Sequence, residues 1–146
     1  MTLEEAAAKF RIRGIPANMV DRFWPLAEPY IKRALDHTRG EFTPADIKSL
    51  CKDKVIQLWL VSEGERIIAA ATTEIVVYPS AKHCRVATLG GSRAVEWLQL
   101  LFFVLDEWAK EQGCDAMEAF VRKGFVRILA DYGYKHMYSA VFKDIG

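Results

Sequence analysis

Residues 83–121 read HCRVATLGGSRAVEWLQLLFFVLDEWAKEQGCDAMEAFV, and this stretch decides the fold. His83–Leu89 has the apolar, β-preferring composition of a strand, and Gly90-Gly91-Ser92 then opens a helix running from Arg93 to Gln112. Gly113 stops that helix, and Cys114–Val121 returns to strand composition. On the helix, Glu96, Gln99, Asp106, Glu107 and Lys110 form a polar stripe, and the apolar arc covers more than half the circumference. A helix so apolar packs deeply against a sheet. A strand–helix–strand passage needs a crossover, so the two strands are expected to lie parallel with a right-handed connection. Phe103 falls inside the polar stripe. Either the N-terminal helices cover it or it is an exposed apolar anchor for a protein partner.

Upstream, Val55–Val61 and Arg66–Tyr78 read as strands joined by the turn Ser62-Glu63-Gly64-Glu65. Pro79-Ser80 separates the second from His83–Leu89. Connections this short predict an antiparallel meander. Asn18–Thr38 has helical spacing but contains Pro25 and Pro29, which predicts either a kinked helix or two short ones. Thr43-Pro44-Ala45-Asp46 starts a short helix, with Thr as cap and Pro at the first position, ending near Lys52–Lys54. Met1–Phe10 reads as a polar start around an alanine run. Downstream, Lys123–Tyr132 is an amphipathic helix closed by Gly133, and Tyr134–Phe142 a final strand. The predicted order is α-α-β-β-β-α-β-α-β, an α/β (α+β) mixed sheet. It forms a single domain over 1–146, with N-terminal helices in 1–54 and the sheet in 55–146.

The composition is that of a globular chain: 146 residues, 51% hydrophobic and 12% aromatic. The balance of 20 basic against 19 acidic residues leaves no electrostatic footprint for nucleic acid or an anionic membrane. The first ten residues lack the apolar region of an export signal, and runs such as Trp97–Leu105 are too short to span a bilayer. A cytoplasmic location is expected. Cys51, Cys84 and Cys114 form no CxxC pair and read as reduced, mostly buried thiols. His83 and Cys84 are adjacent on a strand and point to opposite faces, so no metal site is expected.

The segment KGFVRILADYGY at 123–134, with its Gly133-Tyr134 ending, together with the element order, resembles the GNAT N-acetyltransferases over about Val55–Asp144. The chain also resembles small GNAT-like proteins of tailed bacteriophages. The matching features are Leu58-Trp59, Tyr78-Pro79, the Gly-Gly before a Trp-bearing helix and Asp131-Tyr132-Gly133-Tyr134. The resemblance implies acetyl-CoA as acyl donor and an amine as acceptor. It places the pantetheine arm between two splayed parallel strands, at Val86, Thr88 and Leu89. The pyrophosphate then falls at the turn Gly90-Gly91-Ser92-Arg93, with Arg122 on the late strand. Glu74 interrupts an apolar strand and is the candidate general base, its alternative being a place on a solvated face, as for Glu118. Tyr132 is the candidate acid, its alternative being packing; the position where many GNATs carry that Tyr is Leu129. No Gln/Arg-x-x-Gly-x-Gly/Ala match exists at 88–94. A retained fold without turnover, in a virion-associated or host-interaction protein, is the alternative function.

Overall fold

The computed structural model describes residues 1–146. In chain order the elements are α1 (Leu3–Lys9), β1 (Phe10–Ile15), a 3-10 turn at Ala17–Met19, α2 (Val20–Leu35), α3 (Pro44–Lys52) and β2 (Gln57–Glu63). Then follow β3 (Arg66–Tyr78), β4 (Ala81–Gly91), α4 (Ala94–Glu111), β5 (Ala116–Ala119) and α5 (Lys123–Ala130). One five-stranded sheet has the order β1-β2-β3-β4-β5. β1 to β4 pair antiparallel in succession, and β4 pairs with β5 parallel across the α4 crossover. No helix is long and apolar enough to cross a membrane.

Helices cover both faces of the sheet. On one face Trp59, Val61, Ala69, Ala71 and Val86 meet α4 through Trp97, Leu98, Leu101 and Leu105. On the other, Leu58, Leu60 and Ala70 meet Val20, Trp24, Ala27 and Ile31 of α2 and Ile47 of α3. Successive strand residues alternate between these two cores, which is why β2 and the start of β3 are continuously apolar. The Thr43 cap of α3 forms a full capping box with Asp46.

Four expectations are corrected. The polar start is a helix and an edge strand: Thr2 caps α1, and Phe10-Arg11-Ile12-Arg13 alternates with the period of two that β1 needs to pair with β2. The proline-containing segment is a single helix and not two short ones, because Pro25 and Pro29 stand four residues apart on its exposed face. The carbonyls they leave without donors therefore face water. Tyr134–Phe142 forms no strand: the residues from 135 onward are exposed, β5 remains the sheet edge, and the tail is held by its two ends. Tyr134 packs on Phe102 with ring centroids 5.5 Å apart, and Asp144 accepts from Arg39 at 2.7 Å. Phe103 is 49% exposed, since α2 and α3 pack on the opposite face of the sheet.

Candidate functional site

β4 is paired with β3 along its whole length but with β5 only from His83 to Val86. At the point where β5 leaves, the β3–β4 register steps from Thr73↔Val86 to Thr72↔Thr88, so Ala87 has no partner and forms a bulge. A bulge bends the strand and turns a residue's backbone groups out of the ladder. From Ala87 to Gly91 the edge of β4 facing β5 carries no strand. The sheet is therefore open along this edge of β4 beyond Val86.

The expected donor-binding residues stand differently along this edge. Val86 is its last paired residue and packs into the α4 core. Thr88 is buried, its hydroxyl 2.6 Å from that of Thr72 on the α2 face, and Leu89 packs against the α4 core. Arg122 is exposed and caps α5 without a side-chain hydrogen bond.

The Gly90-Gly91-Ser92 segment is not a free turn, which corrects the sequence expectation. Gly90 and Gly91 are strand residues paired with Ala70 and Ala69. A Cβ on Gly90 would stand 2.3 Å from the carbonyl oxygen of Tyr30, and one on Gly91 2.3 Å from Cβ of Ala69. Both glycines are required by packing: the first lets α2 lie on β4, the second lets β3 and β4 close up. Ser92 N–H donates to Ile68 O at 3.1 Å, and Ser92 O accepts from Trp97 Nε1 at 2.7 Å.

Arg93 caps α4 in the left-handed region, at φ 58°. Its guanidinium donates to both oxygens of Glu63, at 2.9 and 3.1 Å, and to both of Glu96, at 3.1 and 2.6 Å. Lys9 joins the cluster, 2.8 Å from Glu96. Hydrogen bonds from Arg93 and Lys9 hold the Glu96 carboxyl down at about 2, and Arg93 likewise lowers Glu63. The Arg93 charge is thus balanced within the protein.

Glu74 and Tyr132 lie on opposite sides of the sheet. Glu74 stands across from Arg85, which stands across from Glu118, in one row over β3, β4 and β5. Tyr132 follows α5 on the α4 side, its ring 5.1 Å from that of Phe102. Tyr134 is also on that side. Its hydroxyl is buried without a partner, and burial pushes its pKa up.

A polar cluster missing from the sequence expectation surrounds Glu118. Tyr78 donates to Glu118 Oε1 at 2.8 Å, His83 Nδ1 lies 3.2 Å from the same oxygen, and Arg85 Nη2 lies 3.5 Å from Oε2. Tyr78 and His83 stack edge-on, with centroids 5.0 Å apart. The Arg85 guanidinium lies 4.5 Å from the centre of the Phe120 ring. The hydrogen bond to Glu118 raises the Tyr78 pKa, because an ionised phenol could not donate it. The one legible signal was the two-residue turn after Tyr78, which fixes the β3–β4 register and sets Glu74 opposite Arg85. The placement of Glu118 beside them depends on the crossover.

The sequence matches no family model and no curated protein. Solved structures match nearly the whole chain. An aminoglycoside N-acetyltransferase, AAC(6')-Iy, in complex with CoA superposes with a TM-score of 0.68 at 13% identity, covering 93% of this chain and 94% of its own. A predicted acetyltransferase with acetyl-CoA from Clostridium acetobutylicum gives 0.68 at 13%, covering 92% and 96%. A GNAT family acetyltransferase of Staphylococcus aureus gives 0.64 at 14%, covering 94% and 99%. The chain has the mixed α/β fold of the GNAT acetyltransferases.

Proposed function

We propose that this protein is an acyl-CoA-dependent N-acetyltransferase acting on a primary amine. The observation that carries this reading is the coincidence of the Ala87 bulge with the end of β4–β5 pairing. It leaves an unpaired strand edge leading toward the N-terminus of α4. An extended amide chain such as a pantetheine arm can hydrogen-bond to that edge as a strand would. On this reading Val86, Thr88 and Leu89 form the β4 side of the donor site. The fit is weaker for the phosphates, because Gly90, Gly91 and Ser92 are taken up by packing and Arg93 by Glu63 and Glu96. The first backbone N–H groups of α4, where no side chain caps, and the exposed cation of Arg122 are the groups left to hold them. Acetyl-CoA supplies an activated acyl group. The chain orients the amine, polarises the carbonyl through backbone N–H at the bulge, and manages protons. Glu74 draws a cationic amine to the α2 side of the sheet, and Tyr132 provides a hydroxyl on the α4 side.

The neutralised Arg93 and filled Gly-Gly segment favour a second reading, a GNAT fold kept without turnover in a phage structural or host-interaction protein. In that case the exposed Phe103 would be a contact point for another protein. Calorimetric titration with acetyl-CoA and CoA separates the two. Micromolar binding is expected, and it should weaken when Leu89 is replaced by Pro, which removes an edge N–H. No heat and no thermal shift at millimolar CoA would overturn the enzyme reading.

A further inference from the structure

We propose that the corner of the sheet where β1, the β2–β3 turn and the start of α2 meet is a binding site for a small organic phosphate monoester. A cavity of about 260 Å³ lies there, and Arg11 and Arg13 of β1, Ser62 of β2 and Phe23 of α2 line it. β1 and β5 are the two edges of the sheet, so β2 and β3 separate this corner from the unpaired edge of β4. Phe10 and Ile12 pack toward α4, and the strand period of two therefore turns Arg11 and Arg13 to the α2 face.

Two independent observations point to an anion. The first is cationic charge without a counter-charge. Arg39, Arg85 and Arg93 each pair with a carboxylate at 3.5 Å or less, whereas Arg11, Arg13 and Arg22 pair with none. Arg13 and Arg22 instead both lie over the Phe23 ring, 5.4 and 5.6 Å from its centre. An aromatic face holds a cation without neutralising it. Asp21, next in sequence to Arg22, is taken by Lys48 and Lys52 at 3.3 and 3.0 Å. Glu65 is the one carboxylate lining the cavity, and it forms no ion pair. Three cations against one carboxylate leave two positive charges, which match the roughly two negative charges of a phosphate monoester and exceed the one of a carboxylate.

The second is Ser62. On the α2 face β2 presents Leu58, Leu60 and Ser62, of which the first two are core residues. Ser62 is only 6% exposed, yet its hydroxyl makes no hydrogen bond within the protein. It stands opposite Arg11 in the β1–β2 register and opposite Ile67 beyond a bulge in the β2–β3 register. A secluded hydroxyl without a partner is costly, and this one borders the cavity, where a ligand oxygen can satisfy it. Charged side chains on an edge strand also repel foreign strands. That accounts for the arginines of β1 but not for the hydroxyl beside them. Phosphate oxygens accept from the guanidinium groups of Arg11 and Arg13 and from the Ser62 hydroxyl, while Leu26 and Ile67 give the organic group an apolar wall. A space of about 260 Å³ holds on the order of ten non-hydrogen atoms, the size of phenyl phosphate.

Calorimetric titration of the whole protein with phenyl phosphate, inorganic phosphate and benzoate tests the site. Phenyl phosphate should bind roughly tenfold or more tightly than either of the others, because it alone offers both the dianion and an apolar body. Arg11→Gln and Arg13→Gln should each weaken it by roughly tenfold, and Ser62→Ala by about fivefold, with melting temperatures close to wild type. In 1H–15N spectra phenyl phosphate should shift the amides of Ser62, Gly64 and Glu65 and leave those of Ala87–Gly91 in place. No heat at millimolar phenyl phosphate overturns the proposal. So does benzoate binding as tightly as phenyl phosphate, since the charge match would then decide nothing. Unchanged affinity in Ser62→Ala and Arg13→Gln overturns it too, as do shifts confined to Ala87–Arg93, which would move the anion to the α4 end of β4. None of these outcomes depends on acetyl-CoA binding, so the acetyltransferase reading stands or falls separately.

Discussion

The two halves of β4 have opposite characters. Its C-terminal half, Gly90–Gly91 with Ser92 and Arg93 beyond, is closed: backbone lies against backbone, and the arginine is clasped by two carboxylates. Its first half and the bulge are open. One strand edge is free from Ala87 onward, and a row of polar side chains stands on the face that α2 leaves uncovered. The glycine pair draws the eye in the sequence, yet it serves packing, while the polar residues of β4, Arg85 and His83, precede Gly90 by five and seven residues. A Gly-Gly at a strand end marks close approach, but only the fold tells whether a ligand or another segment of chain makes it.

The largest expected effect tests the closed half. Gly90→Val should destabilise the protein by about 3 kcal/mol or more, since the added carbon meets the Tyr30 carbonyl in two-sided packing. Ala87→Val at the exposed bulge should cost less than about 1 kcal/mol. Urea denaturation of both variants compares the halves directly, and equal midpoints would break the contrast.

The next effect lies at the joint between them. Thr72 and Thr88 share one buried hydrogen bond, so either Thr→Val change should cost about 1–2 kcal/mol by stranding the other hydroxyl. The double variant should cost less than the sum of the two, a non-additivity that a thermodynamic cycle reads.

A smaller effect concerns the arginine clasp. Glu63 and Glu96 have folded-state carboxyls held below their ordinary value of 4.5, Glu96 at about 2. A depressed carboxyl contributes stability that is complete above its unfolded value and is lost as pH falls through the folded one. Between about pH 4.5 and 2 the wild-type Tm should therefore fall more steeply than that of Arg93→Ala. Parallel curves would show that the clasp is not formed in solution.

The smallest effect is chemical. Burial pushes the thiols of Cys51 and Cys84 up to about 12, whereas Cys114 is only partly buried. In native protein at pH 8, one thiol should react readily with a disulfide reagent, and Cys114→Ser should remove that reaction. Fast labelling of Cys84 would mean that the open end of the sheet also exposes its α4 side.

The meander, the long apolar helix and the parallel return after it were legible in the sequence, because periodicity, turn residues and the need for a crossover each act over a few residues. β1 was legible in principle from Phe10-Arg11-Ile12-Arg13, but its alternation is short and follows a helix directly. The last strand had the right composition and still did not form, since a strand exists only when a partner's edge accepts its hydrogen bonds. The same distinction governs the site. The sequence supplied the residue types, and in Pro79-Ser80 it supplied the register that sets Glu74 beside Arg85. The bulge at Ala87, the early end of β5, and the meeting of Tyr78, His83 and Arg85 on Glu118 were decided by tertiary structure. They depend on where a strand from beyond an eighteen-residue helix comes to rest, and no local rule fixes that.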